Sequence, residues 1–404
     1  MRSNPGSRRD FLKWLALSPV LTRAGSLVAG EDPATSASLI TSPEEALNVL
    51  EFEAVARQNL PPAHFAYMAT GVDDDAIIQA NRDGFTHWQI RSRRLIDVTH
   101  IDQSVRLFDT TWSSPIVIAP VGSQRAFHPE GEIATARAAR AREHLQILST
   151  VSSTSIEAVT EARGKPVWYQ LYPTDNWAVG RSLIKRAEAA GSPVLVLTVD
   201  LHEYSNRETL FRSRRVDTRD CQVCHQPGRN SSLQRKPMFD GLDLTGVTML
   251  AAADQAWDVI KRIRDATSMK LVIKGIVTRE DAELAARHGV DGLIVSNHGG
   301  RSENTNRATI DCLAEVIDGA GSRMPVLVDS GFRRGTDIFK ALALGARAVC
   351  IGRPYVWGLA AFGQPGVEKV LEILRRELLT IMQHAGTTSI AAITRSFVVG
   401  PAQN

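Results

Sequence analysis

A base and an anion holder lie close together in Ser296-Asn297-His298-Gly299-Gly300-Arg301, a stretch that follows the apolar run Gly292-Leu293-Ile294-Val295. Residues two apart on a strand point to one face, so a strand ending here aims Ser296 and His298 into one cleft, with Arg301 in the loop beyond. Imidazole is suited to take a proton near neutral pH, and a guanidinium grips a carboxylate with two parallel hydrogen bonds. The chemistry on offer is proton abstraction from a bound acid. Alone, such a pair reads more simply as a buried turn histidine and a solvated arginine. The rest of the chain overturns that simpler reading.

Those groups need a rigid frame, and the chain repeats one. Short β-rich apolar runs alternate with longer Ala-, Glu- and Arg-rich stretches of helical period, which predicts a parallel sheet with helical crossovers. The expected strands are Ile116–Pro120, Leu145–Thr150, Val167–Tyr172, Val194–Asp200, Leu271–Gly275, Gly292–His298, Val326–Gly331 and Ala348–Arg353. Eight such runs point to an α/β fold, a (β/α)8 TIM barrel with an N-terminal helical segment around Pro43–Asn59. Gly122, Ser149, Gln170 with Tyr172, Thr198 with Asp200, Lys274, His298, Asp329 and Arg353 gather at the C-terminal ends, the rim where active sites of this fold lie. Between the fourth and fifth strands the chain from Leu201 to Lys270 is too long for a simple crossover, so it should hold a lid or insert at about 201–253.

The last two strands end in Asp329-Ser330-Gly331-Phe332-Arg333-Arg334-Gly335 and Gly352-Arg353-Pro354. Barrels commonly bind phosphate there, through N–H groups beside glycines and a helix start. Arg333 and Arg353 add the charge a monoester phosphate needs. The plainer alternative is a pair of left-handed turns with solvated arginines.

Together these motifs resemble the FMN-dependent L-2-hydroxy-acid oxidases and dehydrogenases, a family that includes glycolate oxidase, lactate oxidase, mandelate dehydrogenase and haem-linked lactate dehydrogenases. The resemblance spans roughly residues 44–398. It rests on Ala119-Pro120 with His128-Pro129-Glu130-Gly131-Glu132, Gln170-Leu171-Tyr172, Leu197-Thr198-Val199-Asp200, Lys274-Gly275, the Ser296–Arg301 run, Arg333-Arg334-Gly335-Thr336-Asp337 and Ile351-Gly352-Arg353-Pro354.

The resemblance implies that the backbone at Pro120, Val121 and Gly122, with Ser149, Gln170, Tyr172, Thr198 and Ser296, surrounds the flavin ring. Lys274 would stand beside the flavin's N1 and O2, where charge collects on reduction, and Asp329 would bind the ribityl chain. Ser330, Gly331, Phe332, Arg333, Gly352 and Arg353 would enclose the phosphate end. Taken singly, Ser149, Gln170 and Thr198 read more simply as strand-end hydrogen bonders. Lys274 ends an apolar strand and needs an anionic partner. For the substrate, the resemblance implies Arg301 and Tyr67 on the carboxylate, Tyr172 near the hydroxyl, Arg207 as added positive charge and His298 as the base, with Asp200 on its other nitrogen. Tyr67, expected on a helix with Phe52 and Phe65, would by itself be an amphipathic core residue.

The chain also departs from the family pattern. Val151 stands where short-chain oxidases often carry Trp, Met68 where a second Tyr is common, and Gly122 where Ala is frequent. The smaller Val151 and Gly122 are expected to enlarge the pocket. Leu201-His202-Glu203-Tyr204-Ser205-Asn206 replaces a usual Pro-Arg-Leu-Gly pattern, Arg207-Glu208 is retained, and Ser330 replaces a Gly. These changes bear on substrate identity and oxygen reactivity.

Within the insert, Cys221-Gln222-Val223-Cys224-His225 matches the c-type haem attachment pattern, with Met238 a candidate second axial ligand. A disulfide or a metal clip competes with that reading. Cys312 and Cys350 read as buried apolar residues of the barrel.

The formal charge of +3 misleads, because residues 1–30 alone carry Arg2, Arg8, Arg9, Lys13 and Arg23 against Asp10. The remainder is close to neutral, about −1, which argues against nucleic-acid binding by the folded body. No run is apolar enough to span a bilayer. Ser7-Arg8-Arg9-Asp10-Phe11-Leu12-Lys13, followed by a moderately apolar stretch, resembles a twin-arginine export signal over residues 1–30, with 31–42 a linker and 43–404 the barrel. That pathway carries folded proteins and suits one that takes up a cofactor before export to the periplasm. The reading that follows is an exported FMN enzyme oxidising a lactate-like L-2-hydroxy acid to the 2-oxo acid. It would pass electrons to a periplasmic carrier or to oxygen, and be a homo-oligomer by analogy. The rivals are another FMN-barrel enzyme, which would lack the His-Gly-Gly-Arg clamp, and a catalytically silent flavin or haem electron-transfer module.

Overall fold

The computed structural model describes residues 39–201, 205–217 and 231–400. Eight parallel strands close into a barrel in sequence order. They are β1 (Ile116–Ile118), β2 (Leu145–Ser149), β3 (Trp168–Leu171), β4 (Val194–Thr198), β5 (Lys270–Ile276), β6 (Gly292–Val295), β7 (Val326–Val328) and β8 (Ala348–Ile351). β8 closes on β1 through Val349–Ile116, Cys350–Val117 and Ile351–Ile118. The strands carry no polar alternation because both faces are covered. Val117, Ile147, Val196, Val272, Ile294 and Leu327 fill the barrel interior, and the opposite faces pack against the surrounding helices.

The helices form where apolar residues recur at helical spacing between capping residues. They are α1 (Gly131–Ala141), α2 (Ile156–Arg163), α3 (Trp177–Ala189), α4 (Val259–Ala266), α5 (Arg279–Arg287), α6 (Thr309–Ala320), α7 (Gly335–Ala343) and the long α8 (Arg353–Ala385). In α4, Val259, Ile260, Ile263 and Ala266 make one buried stripe. Ser155, Asn176 and Thr278 cap α2, α3 and α5, their side chains accepting N–H groups of the first turn.

All eight expected strands are present, but most end earlier than expected. β6 stops at Val295 because His298 turns left-handed, with φ +57°, and β1 stops before Pro120, which has no N–H to give a ladder. The rim residues therefore sit in loops just beyond the strands. The expected helical stretch over Pro43–Asn59 is interrupted: a short 3-10 turn, Pro43–Glu45, is followed by a helix at Glu51–Asn59. Tyr67 belongs to a separate helix, Pro62–Ala69, so it does not share one with Phe52; Pro61 and Pro62 break the run after Leu60. The long β4–α4 connection contains a helix at Glu208–Val216, a short turn of helix at Ser231–Gln234 and a 3-10 turn at Pro237–Phe239. No helix among the described residues is long and apolar enough to cross a membrane.

Candidate active site

The end of β6 is bound to a helix far away in sequence. Asn297 and Asn81, the latter on the helix Ala76–Asp83, exchange amide hydrogen bonds of 2.8 and 3.1 Å in the buried interior. That pair holds the loop while His298, Gly299 and Gly300 run through successive left-handed conformations, with φ of +57°, +68° and +77°. Glycines take such angles freely; a histidine does so under strain, which is tolerated where the surroundings fix it. The result turns the imidazole back toward β4 and β3. His298 Nδ1 lies 2.7 Å from Asp200 Oδ1, and His298 Nε2 lies 3.4 Å from the Tyr172 hydroxyl.

The carboxylate fixes the tautomer: Nδ1 carries the proton and Nε2 keeps its lone pair toward the cavity. Burial, more than any other influence, pulls the His298 pKa below that of an ordinary imidazole; Asp200 opposes this and Lys274 adds to it. The base is neutral at pH 7. Asp200 stays ionised: burial acts to raise its pKa, but Lys274 and His298 outweigh that and hold it well below the usual carboxylate range. Lys274 Nζ donates to Ser296 Oγ at 2.7 Å and lies 3.3 Å from Asp200 and 3.5 Å from Asp329. The two carboxylates overcome its burial and keep it charged.

Facing His298, the Tyr67 ring carries two guanidiniums, Arg301 at 4.5 Å and Arg207 at 5.3 Å from its centroid. Arg301 Nη1 donates to the Tyr67 carbonyl. Arg207 Nη1 is buried with no hydrogen-bond partner among the described residues, a donor left over for an anion. Burial, and then Arg301, push the Arg207 pKa down to about 10. At Tyr67, burial favours the neutral phenol but Arg301, Arg207 and Lys236 together lower its pKa; burial and Asp200 drive that of Tyr172 well up. Tyr172 is thus a neutral hydroxyl beside the base, and Tyr67 lies in a field that attracts a carboxylate.

The same cavity runs past Pro120, Val121, Gly122 and Ser149 to Asp329, Ser330, Gly331, Phe332, Arg333, Gly352 and Arg353. Gln170, Thr198 and Ser296 stand buried behind that lining. FMN fits this donor set. Gln170 Oε1 accepts from Ser149 Oγ, while Gln170 Nε2 and Thr198 Oγ1 are buried polar atoms with no partner among the described residues, as a polar ring edge would require. Arg333 is buried and Arg353 partly so; desolvation lowers both pKa values, to about 10 and about 9, and Arg333 further lowers that of Arg353. Two enclosed, mutually repelling guanidiniums call for an anion between them. The space where Gly352 would carry a side chain is open. Ser330, left-handed at φ +76°, gives its hydroxyl to Asp329 at 2.7 Å and accepts the Gly299 N–H at 3.0 Å. Arg353 also donates to the carbonyls of Met68, Thr70 and Gly299, tying the Tyr67 helix to the base-bearing loop.

One expectation needs correction. Gly122 does not enlarge the pocket: a Cβ there would lie 2.5 Å from Val151 Cγ2, so the valine already occupies the space. Met238 is fully buried in the apolar core. Cys221, Cys224 and His225 lie outside the described residues. Cys312 and Cys350 are buried and free, as expected. Lys236 had no sequence signal: its ammonium, in the insert, donates to Ser123 Oγ at 2.7 Å beside the Pro120–Gly122 backbone. Nor did Asn81, or Leu250, which lines the cavity. Asn297 stood inside a recognised motif without a role.

The arrangement can hold a carboxylate, take a proton and keep a flavin phosphate. Comparison with known proteins agrees. The chain is 41% identical to a peroxisomal (S)-2-hydroxy-acid oxidase of Oryza sativa subsp. japonica over 360 residues, 87% of this chain and 96% of that one. It is 40% identical to glycolate oxidase of Spinacia oleracea over 354 residues, covering 88% and 96%. Among solved structures, a soluble mutant of the membrane-associated (S)-mandelate dehydrogenase of Pseudomonas putida superposes with a TM-score of 0.80 at 32% identity, covering 88% of this chain and all of the other (100%). The model of the FMN-dependent dehydrogenase family matches residues 56–400, and with the barrel, the base and the phosphate end already in place the chain belongs to that family of 2-hydroxy-acid oxidoreductases.

Proposed function

We propose that the protein oxidises an L-2-hydroxy acid to the 2-oxo acid, with FMN as electron acceptor, and passes the electrons to a carrier in the periplasm. The observation that carries the reading is the His298–Asp200 pair at 2.7 Å, with Nε2 turned to Tyr172 and the unpartnered Arg207 donor in the same cavity. In this reading Arg301 and Arg207 take the carboxylate beside Tyr67. Tyr172 hydrogen-bonds the hydroxyl oxygen, and His298 Nε2 receives the proton that the substrate gives up. Asp200 stabilises the imidazolium as it forms. Lys274, with Ser296 beside it, would stand next to the ring and stabilise the negative charge that reduction puts there. Bound FMN supplies the two-electron acceptor. Arg333 and Arg353 would hold its phosphate, and Asp329 its ribityl chain.

The twin-arginine pattern in residues 1–30 supports export, and the departures at Met68, Val151 and Leu201 support a substrate other than glycolate. The test is the visible spectrum of the holoenzyme without oxygen, before and after L-lactate and then bulkier L-2-hydroxy acids. Bleaching of the flavin band is expected. A flavin that no hydroxy acid bleaches would favour a silent electron-transfer module instead.

A further inference from the structure

Once FMN takes the Pro120–Gly122 backbone, Ser149, Lys274 and the phosphate end, and a carboxylate and a hydroxyl take Arg207, Arg301, Tyr67, Tyr172 and His298, the aliphatic side chains of Met68, Val151, Leu201 and Leu250 are left in the lining for the remaining substituent of the substrate. No amide side chain lines the cavity among the described residues, and its one carboxylate, Asp329, is engaged by Lys274 and Ser330. A polar substituent would lose its hydration there without a partner, whereas an apolar one gains by burial.

Leu250 lies in the insert, outside regular secondary structure, yet its carbonyl and the two residues before it are held. Thr174 N–H donates to the Leu250 carbonyl at 3.0 Å, and Asp175 N–H to the Met249 carbonyl at 3.3 Å. The Asp175 carboxylate then accepts the Thr248 hydroxyl at 2.5 Å, the Thr248 N–H at 3.0 Å and the Met249 N–H at 3.1 Å. Thr174 and Asp175 follow directly from the end of β3, which delivers Tyr172. One strand end thus sets both the hydroxyl that meets the substrate's oxygen and the leucine that meets its side chain.

We infer that Leu250, seated by Asp175 acting as a positioning residue, is the specificity residue of the insert and selects 2-hydroxy acids whose side chain is apolar and larger than methyl. The inference rests on the hydroxy-acid reading above and names its substrate class.

The test compares glycolate, L-lactate and L-2-hydroxyisocaproate on the purified holoenzyme with an artificial electron acceptor, reading kcat and KM separately. The wild type should favour 2-hydroxyisocaproate over glycolate in kcat/KM by about tenfold or more. Leu250→Ser should cut that preference about tenfold through a raised KM for the larger acid, with a smaller loss for glycolate, which has no side chain to meet the leucine. Asp175→Asn, which keeps the side-chain shape but loses the charge on three hydrogen bonds, should shift the preference in the same direction by a smaller factor. Should Leu250→Ser not fold, Leu250→Ala carries the same expectation. A wild type that favours glycolate, or a Leu250 variant that loses both acids equally, overturns the inference. If none of the three acids bleaches the flavin, the hydroxy-acid reading fails with it. Bleaching by glycolate with an unchanged preference in the variants sinks the specificity claim alone.

Discussion

A histidine serves as a base only while it is neutral, and at position 298 burial does most to keep it so. Activity should therefore fall as pH drops through a value below the ordinary imidazole pKa, about 6.5. Asp200 works against burial by favouring the protonated ring, so Asp200→Asn should move this acid limb of kcat/KM to still lower pH. The same variant should lower kcat on the order of 10²-fold or more, because the forming imidazolium loses its counter-charge. A limb that moves up instead would contradict the assignment. His298→Ala removes the proton acceptor altogether. Turnover should drop by at least about 10²–10⁴-fold while FMN stays bound, since the phosphate and ribityl contacts are untouched; undiminished anaerobic flavin reduction would refute the role. These residues were legible because their chemistry is compressed into short runs at strand ends. Lys236 and Asn81 were not, because a buried lysine in an irregular insert and an amide 216 residues from its partner leave no local pattern.

The eight strands and their crossovers could be read from sequence because burial on both faces makes each strand a continuous apolar run between helical periods. Their ends could not, since the residues that leave the ladder do so for reasons of backbone angle, as at His298, or of a missing N–H, as at Pro120. The break between the helices that carry Phe52 and Tyr67 was signalled by Pro61-Pro62 and still overlooked, because apolar spacing continues across it. At this scale the Asn81–Asn297 bond is what couples the helix Ala76–Asp83 to the loop after β6. Asn81→Ala leaves the Asn297 amide without its buried partner and should destabilise the fold by about 1–3 kcal/mol. The loop it no longer holds contains three left-handed residues in a row, so kcat should fall along with Tm. A variant that loses stability but keeps full kcat would show that the loop is fixed by the remaining contacts of Gly300 and Arg353.

For the whole molecule, the question is where the electrons go, and two features outside the described barrel bear on it. Among the described residues, those that line the cavity fall between Tyr67 and Val356. In the proposed reading the barrel folds around FMN first and is exported complete. Replacing Arg8 and Arg9 by lysine should then hold the protein in the cytoplasm with its flavin bound and bleachable by substrate; export undiminished by that change would remove the twin-arginine assignment. Folded export also bears on Cys221-Gln222-Val223-Cys224-His225, because haem is normally joined to an unfolded chain. The exported protein, reduced anaerobically by its hydroxy acid, should accordingly show a bleached flavin band and no reduced-haem bands, with electrons leaving FMN directly to an external carrier. Haem bands that grow as the flavin band refills would reverse this, and would make those two cysteines and the histidine the first stop on the way out.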